Sequence, residues 1–370
     1  MQSDPQERLD LLLLLGSVQL RGSSSRALSL TDSLIAQKFR VQLVCLEPIR
    51  DVPESWKKVD IHVSPYLNVS GCRWLTRTCL AADLQAAPPM LIDIQHRSMH
   101  AAGSWLARRL KCPYMVTIHD YLRDRERFVI DPEWCRGVIA VSESVRSELL
   151  ERTQLREDQV IVIPSGVLPP LESDLSNILG EDHDPVIGTA GPLEAGKGLK
   201  HFLKAASLVL KSHPRALFLI AGSGPEERIL RRMAEDLQIS HAVSILPNLL
   251  DFDSALRAMD LFVLPSLKQG LGSIMLEAMA RSLPVIASES GGVFSVVSDG
   301  QTGLLVPPSD ETALAERIRF LLANPTQAQA LGRAARQRVI EHFHLDSMVA
   351  STIDLYRQAV AGQKLPQPVR

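Results

Sequence analysis

Short runs of valine, isoleucine and leucine recur along this chain, each followed by a segment long enough for a helix, and that alternation restricts the fold more than any other feature. In the first half the runs are Leu11–Leu15, Val41–Leu46, Val59–Val63, Met90–Ile94, Tyr114–His119, Val138–Val141 and Val160–Ile163. Runs that are apolar throughout, rather than at every second residue, read as strands of a parallel sheet covered on both faces by helices. The pattern breaks at Pro164-Ser165-Gly166-Val167-Leu168-Pro169-Pro170 and stays rich in acidic residues and turn formers through Asp184-Pro185. It restarts with Val186–Ala190, Ala216–Ala221, Val243–Leu246, Leu261–Leu264, Pro284–Ala287 and Gly303–Val306. After Pro325 come only helical segments, Gln327–His342 and Asp346–Val360, and the closing Leu365–Arg370 reads as a frayed end. The expectation is α/β: two doubly wound, Rossmann-like domains over 1–175 and 176–345, then a closing helix and tail over 346–370.

Composition narrows the partners. The 370 residues carry 40 Lys and Arg against 42 Asp and Glu, which excludes the basic footprint of a nucleic-acid binder and the charge excess of a disordered chain. The five cysteines contain no C-x-x-C pair, so they indicate neither a disulfide framework nor a zinc site, and a reducing cytoplasm fits them. Leu11–Leu15 is too short and too acidic in its lead-in for a signal peptide, and no stretch reaches the length of a membrane span. Peripheral contact with the inner face of a membrane stays open.

Ligands of doubly wound sheets bind outside the carboxyl ends of the strands, so the chemistry is sought in the loops that follow them, in a cleft between the two domains. The loop Gly191-Pro192-Leu193-Glu194-Ala195-Gly196-Lys197-Gly198 feeds a helix N-terminus and adds a lysine, a combination that suits phosphate. It is nearly a P-loop, but Gly198 stands where a magnesium-binding hydroxyl belongs, and Asp260 precedes its strand instead of ending it. After Leu264 the chain reads Pro265-Ser266-Leu267-Lys268-Gln269-Gly270-Leu271-Gly272-Ser273, and then a helix bearing Glu277 among Leu276 and Met279. Two glycines there permit close backbone approach, and a carboxylate in such apolar company has a partner or a ligand.

In the first half, His119-Asp120 closes a strand at the sheet edge, with His96 and His100 as weaker candidates. Gly16 with Arg21-Gly22-Ser23-Ser24-Ser25-Arg26 forms a loop suited to an anion. Each of these features also has a plain structural reading, as a cap, a core histidine, a surface glutamate or a connecting loop. Asp251-Phe252-Asp253 looks like a metal-binding D-x-D but opens a helix, where acidic residues act as caps. Ala221-Gly222-Ser223-Gly224-Pro225 lacks the third glycine of a dinucleotide site, with Glu227 in its place.

Taken in order, these blocks, together with Ala258–Ser266, Leu283–Ala287, Gly291-Gly292-Val293 and Asp299–Val306, resemble the retaining glycosyltransferases of the GT-B fold, family 4 (glycosyl transferases group 1). The first half matches more loosely, through Val116–Asp120, Ile139–Ser142 and Val162–Val167. The resemblance implies two Rossmann-like domains facing a cleft, an acceptor-binding one before a nucleotide-sugar-binding one, with the last helix packing back on the first. It implies transfer of a sugar from a nucleotide diphosphate, without metal or other cofactor, to a glycan, a lipid-linked sugar or a small molecule. By the same resemblance Lys197 binds the diphosphate; Gly191, Gly270, Leu271, Gly272 and Ser273 present backbone to the donor; Glu277 holds the ribose hydroxyls; and Gln269 meets the sugar. His119 sits beside the transferred sugar, and Gly16 and Gly22 lie near the leaving group.

Four positions depart from that family: Gln269 replaces a glutamate, Pro192 an arginine, and Phe294-Ser295 a Pro-Glu pair. These departures keep a catalytically weak sugar-nucleotide binder in view. A nucleotide-sugar epimerase of similar fold would instead interconvert free sugar nucleotides without an acceptor, and a P-loop ATPase would hydrolyse ATP with magnesium.

Overall fold

The computed structural model describes residues 9–16, 23–49, 54–175, 178–180, 183–246 and 252–363. It divides into two compact units, one made of residues up to Pro164 together with those from Asp346 onward, the other of Ser165–Leu345. Gly22, Asp251 and the closing Leu365–Arg370 lie outside the described residues.

The first unit runs β1 (Asp10–Gly16), α1 (Ser23–Ala36), β2 (Arg40–Cys45), β3 (Asp60–Val63), α2 (Arg73–Gln85), β4 (Leu91–Ile94), α3 (His100–Leu110), β5 (Tyr114–Ile118), β6 (Cys135–Ala140), α4 (Glu143–Arg152) and β7 (Val160–Val162). The second runs β8 (Val186–Ala190), α5 (Leu199–Leu210), β9 (Leu217–Ala221), α6 (Glu227–Asp236), β10 (Val243–Leu246), α7 (Phe252–Arg257), β11 (Leu261–Leu264), α8 (Ser273–Ala280), β12 (Val285–Ser288), α9 (Val293–Val296), β13 (Leu304–Val306), α10 (Glu311–Ala323) and α11 (Pro325–His342). The last helix, α12 (Leu345–Val360), belongs almost wholly to the first unit.

All strand pairings are parallel, in the orders β3-β2-β1-β4-β5-β6-β7 and β10-β9-β8-β11-β12-β13. Parallel strands need crossover helices, and helices on both faces bury every residue of a central strand. Leu11, Leu12, Leu13 and Leu14 accordingly have no exposure at all, whereas the edge strands β3 and β10 keep exposed residues. In the second unit Ile187, Phe218, Leu261 and Val263 pack under Phe202 and Leu203 of α5 and Ile318 of α10. Phe202 meets Phe218 edge-on with ring centroids 5.7 Å apart.

Each sheet reverses its winding once, between β1 and β4 and between β8 and β11. At such a point the loops after the two strands part in opposite directions and leave a crevice at the carboxyl edge. The fold therefore puts the loops after β8 and β11 side by side.

Candidate active site

The two loops at the β8/β11 reversal are tied by their backbones. The Leu267 N–H donates to the Gly196 carbonyl at 3.0 Å, and Gly198 lies so near Pro265 that a Cβ would fall 1.8 Å from the Pro265 carbonyl oxygen. A third loop, after β12, joins them: Gly292 N–H donates to the Gln269 carbonyl at 2.9 Å, and Ser290 Oγ donates to the Ser266 carbonyl at 2.9 Å. A fourth, after β9, takes up the other side, with Gly191 N–H donating to Ala221 and Leu193 N–H to Ser223. Gly191, Lys197, Gln269, Gly270 and Gly272 thus stand on one framework, and Lys197 Nζ donates to Gln269 Oε1 at 3.2 Å.

Gly198 and Gly272 are the N-caps of α5 and α8, both left-handed, and no side chain caps either helix. A helix start without a side-chain cap keeps N–H donors and the positive dipole end for something else. Two such starts, with a lysine beside the first and bonded to the loop that leads into the second, are suited to a diphosphate. Gly270, Leu271 and Gly272 are buried, so what this loop offers a ligand is backbone. Ser273 opens α8, and Glu277, one turn further, is the one residue from Ile274 to Ala280 that is not buried.

In the first unit Gly16 ends β1 at φ +74°, with the His96 side chain against it. β5 stops at Ile118, so His119 lies just past the strand and not within it. Its Nε2 lies 2.9 Å from the Gln95 carbonyl oxygen. A carbonyl can only accept, so Nε2 carries the proton, and the neutral ring keeps Nδ1 as an acceptor. Burial, reinforced by the Arg26 charge, lowers the His119 pKa to about 3 against the opposing hydrogen bond to Gln95.

Behind His119 lies a buried polar network that sequence reasoning missed. Arg26 Nη1 donates to Gln95 Oε1 at 3.3 Å, and Gln95 Nε2 donates to Asp93 Oδ2 and, at 3.4 Å, to Thr117 Oγ1. The Tyr356 hydroxyl on α12 also donates to Asp93 Oδ2. All five side chains are nearly inaccessible. Burial raises the Asp93 pKa in spite of the Tyr356, Gln95 and Arg26 groups that favour its ionised form. The one sequence signal was an aspartate inside the otherwise apolar Met90–Ile94.

Other polar candidates have structural partners. Asp253 pairs with Arg257 and Arg281, and Asp260 accepts from the N–H groups of Leu179 and Val186. His96 bonds Ser98, while His100 packs on Phe128 with its pKa lowered by burial to about 4.

A neutral buried imidazole predicts a pH effect with a definite sign. The unfolded chain titrates His119 near the ordinary value of about 6.5, so between there and about pH 3 it binds a proton that the folded chain refuses. Stability therefore falls as pH falls through that window. Urea midpoints measured at about pH 7 and about pH 4.5 are expected to drop further for the wild type than for His119→Asn. Equal drops would show that the ring is not held neutral.

Known proteins resemble this chain along most of its length. The family described as Glycosyl transferases group 1 matches residues 173–338, and Glycosyltransferase Family 4 matches 20–169. A glycogen synthase of Mycobacterium tuberculosis is 33% identical over 279 residues, 74% of this chain and 60% of that protein. The match thus spans little more than half of that relative's length. An alpha-maltose-1-phosphate synthase of Mycolicibacterium smegmatis is 31% identical over 306 residues, 76% of each chain. Among solved structures, Anabaena HepE in complex with UDP and glucose superposes with TM-score 0.80 at 17% identity, covering 94% of this chain and 99% of that one. WaaG, a glycosyltransferase involved in lipopolysaccharide biosynthesis, gives 0.74 at 14% identity, with coverage of 94% and 99%. At such identities the structural likeness concerns the fold.

Proposed function

The chain belongs to glycosyltransferase family 4, the glycosyl transferases group 1, and from that premise we propose that it moves a sugar from a nucleotide diphosphate to an acceptor hydroxyl, retaining configuration and using no metal. The observation that carries this reading is Lys197, beside the start of α5 and bonded to Gln269 of the loop that leads into α8, with neither helix start capped by a side chain. Departure of the nucleoside diphosphate concentrates negative charge on its phosphates. Fixed N–H donors and one cation stabilise that charge more as it develops than before.

In this reading Gly191, Gly270, Leu271, Gly272 and Ser273 offer backbone to the phosphates and sugar, and Glu277 accepts from the ribose hydroxyls. Gln269 is neutral, so it donates to and accepts from sugar hydroxyls without adding charge. His119, protonated at Nε2, offers Nδ1 to a sugar hydroxyl, and Gly16 offers backbone at the end of β1. The acceptor is a glycan, a lipid-linked sugar or a small glycoside.

A weak binder of sugar nucleotides is the second reading, favoured by two residues. Pro192 brings no guanidinium to the phosphate turn, and Lys197 rests on the uncharged Gln269. UDP-glucose, GDP-mannose and ADP-glucose, each added with and without EDTA, test donor binding. A rise in melting temperature with one of them, unchanged by the chelator, is the expected result. No rise with any would overturn the donor site. Release of the nucleoside diphosphate on incubation separates enzyme from binder.

A further inference from the structure

The stretch from β3 through the loop that follows it into α2 has a composition unlike the rest of the chain. From Ile61 through Ala82 there is no aspartate or glutamate, although such residues number 42 in 370. Within it Val63, Tyr66, Val69, Trp74 and Leu75 are all substantially exposed, Trp74 the most at 69%. Apolar side chains scattered singly on a surface need no explanation, but five within thirteen residues do.

The exposure is built, not incidental. Successive tight turns wind the segment, with N–H groups of Leu67, Val69, Cys72 and Arg73 donating to the carbonyls of Ser64, Tyr66, Val69 and Val69. Ser64 and Leu67 face inward and are buried. Arg77, itself 9% exposed, fastens the loop from beneath: its Nε donates to the Leu67 carbonyl at 3.1 Å and its Nη2 to Asn68 Oδ1 at 3.3 Å. Asn68 Nδ2 in turn donates to the Ser98 carbonyl at 3.0 Å. A braced loop and the first turn of α2, which together turn a tyrosine, a tryptophan and aliphatic residues outward beside the exposed Arg73 and without one carboxylate, have the residue types that settle at a lipid headgroup layer.

We propose that this surface, Tyr66, Val69, Trp74 and Leu75 with Arg73, docks the protein on an anionic lipid bilayer. Arg73 and the missing carboxylates favour that partner over a basic one, because anionic headgroups attract the guanidinium and would repel each carboxylate. The contact is peripheral: among the described residues no helix is long and apolar enough to cross a membrane. It also favours the lipid-linked choice among the acceptors above, although docking itself needs neither donor nor transfer.

The test is sedimentation with vesicles of phosphatidylcholine alone and of phosphatidylcholine containing about 30% phosphatidylglycerol. The wild type is expected to pellet with the second and not the first, with tryptophan emission moving to the blue. Trp74→Phe should bind while losing most of that shift, since Trp56 is buried and Trp105 and Trp134 are only partly exposed. Trp74→Glu with Leu75→Glu should weaken binding about tenfold or more. Its melting temperature, and its response to the stabilising sugar nucleotide, should match the wild type, so that a lost donor site and a lost docking surface give different results. Three outcomes would overturn the proposal: no pelleting with either vesicle, pelleting that the double variant keeps, or a self-association of the wild type without lipid that the double variant abolishes. The last would make a second copy of the chain the occupant.

Discussion

Lys197→Ala is expected to lower the rate of sugar transfer by about 100- to 1,000-fold, the loss typical when one preorganised donor to a developing charge is removed. Donor binding in the ground state should weaken less, by about tenfold, because a bound diphosphate already shares its charge with the helix N–H groups. The fold should hardly notice. Lys197 sits at the end of a one-turn 3-10 helix, half-buried, and its bond to Gln269 joins two groups that water can reach. Water can solvate whatever its removal uncovers, so the melting temperature should stay within about 2 °C of the wild type. Lys197→Arg is expected to recover part of the rate, since the charge is kept while the point-like ammonium becomes a planar fork. A Lys197→Ala protein that transfers at the wild-type rate would remove the diphosphate from this place and leave the helix starts without an assigned ligand.

That result bears directly on Pro192. With proline at 192, no arginine follows the first glycine of the phosphate turn, and Lys197 becomes the one cation that this turn contributes. The reading then predicts a larger dependence on Lys197 here than in a chain with both cations, because the same developing charge is met by fewer groups.

How much of this was legible in the sequence follows from the range of the interactions. Every apolar run named from the sequence is a strand in the structure, since a sheet covered on both faces writes its strands as local, continuous hydrophobicity. Strand ends were less legible. His119 reads as the last residue of its strand, but its ring bonds to Gln95 and the ladder closes one residue earlier. The network behind it left a single trace, Asp93 within an apolar run, because Tyr356 and Asp93 are 263 positions apart and neither has a neighbour that announces the other. Lys197 and Gln269 are 72 apart, and they were paired in advance only through their common place after strands and the family pattern. The glycines show the same limit most sharply: Gly196 and Gly198 look alike in the sequence and differ entirely in the fold.

Gly198→Ala is expected to cost about 3 kcal/mol or more of stability and to open the site, whereas Gly196→Ala should change stability by about 0.5 kcal/mol or less. Gly196 lies in a short 3-10 helix with no atom within 4 Å of where a Cβ would be, so alanine has room and an ordinary backbone. Gly198 has φ +66°, a left-handed conformation that costs alanine about 1 kcal/mol, and its Cβ would lie 1.8 Å from the Pro265 carbonyl oxygen. Neither atom belongs to a flexible side chain, so the conflict can be relieved only by moving backbone. The loop that must move begins at Pro265 and carries Gln269, Gly270 and Gly272, and it is pinned at Leu267 to Gly196 and at Gln269 to Gly292. Separating it from the Gly191–Gly198 turn would pull Lys197 away from Gln269 and the start of α5 away from the start of α8. Urea midpoints with donor titrations check both halves of this expectation. Loss of donor binding in Gly198→Ala under conditions where the protein is still folded, with Gly196→Ala intact in both assays, would mark the Gly198–Pro265 contact as what holds the phosphate framework together. Equal stability of the two variants would show that the loops are not locked at that point.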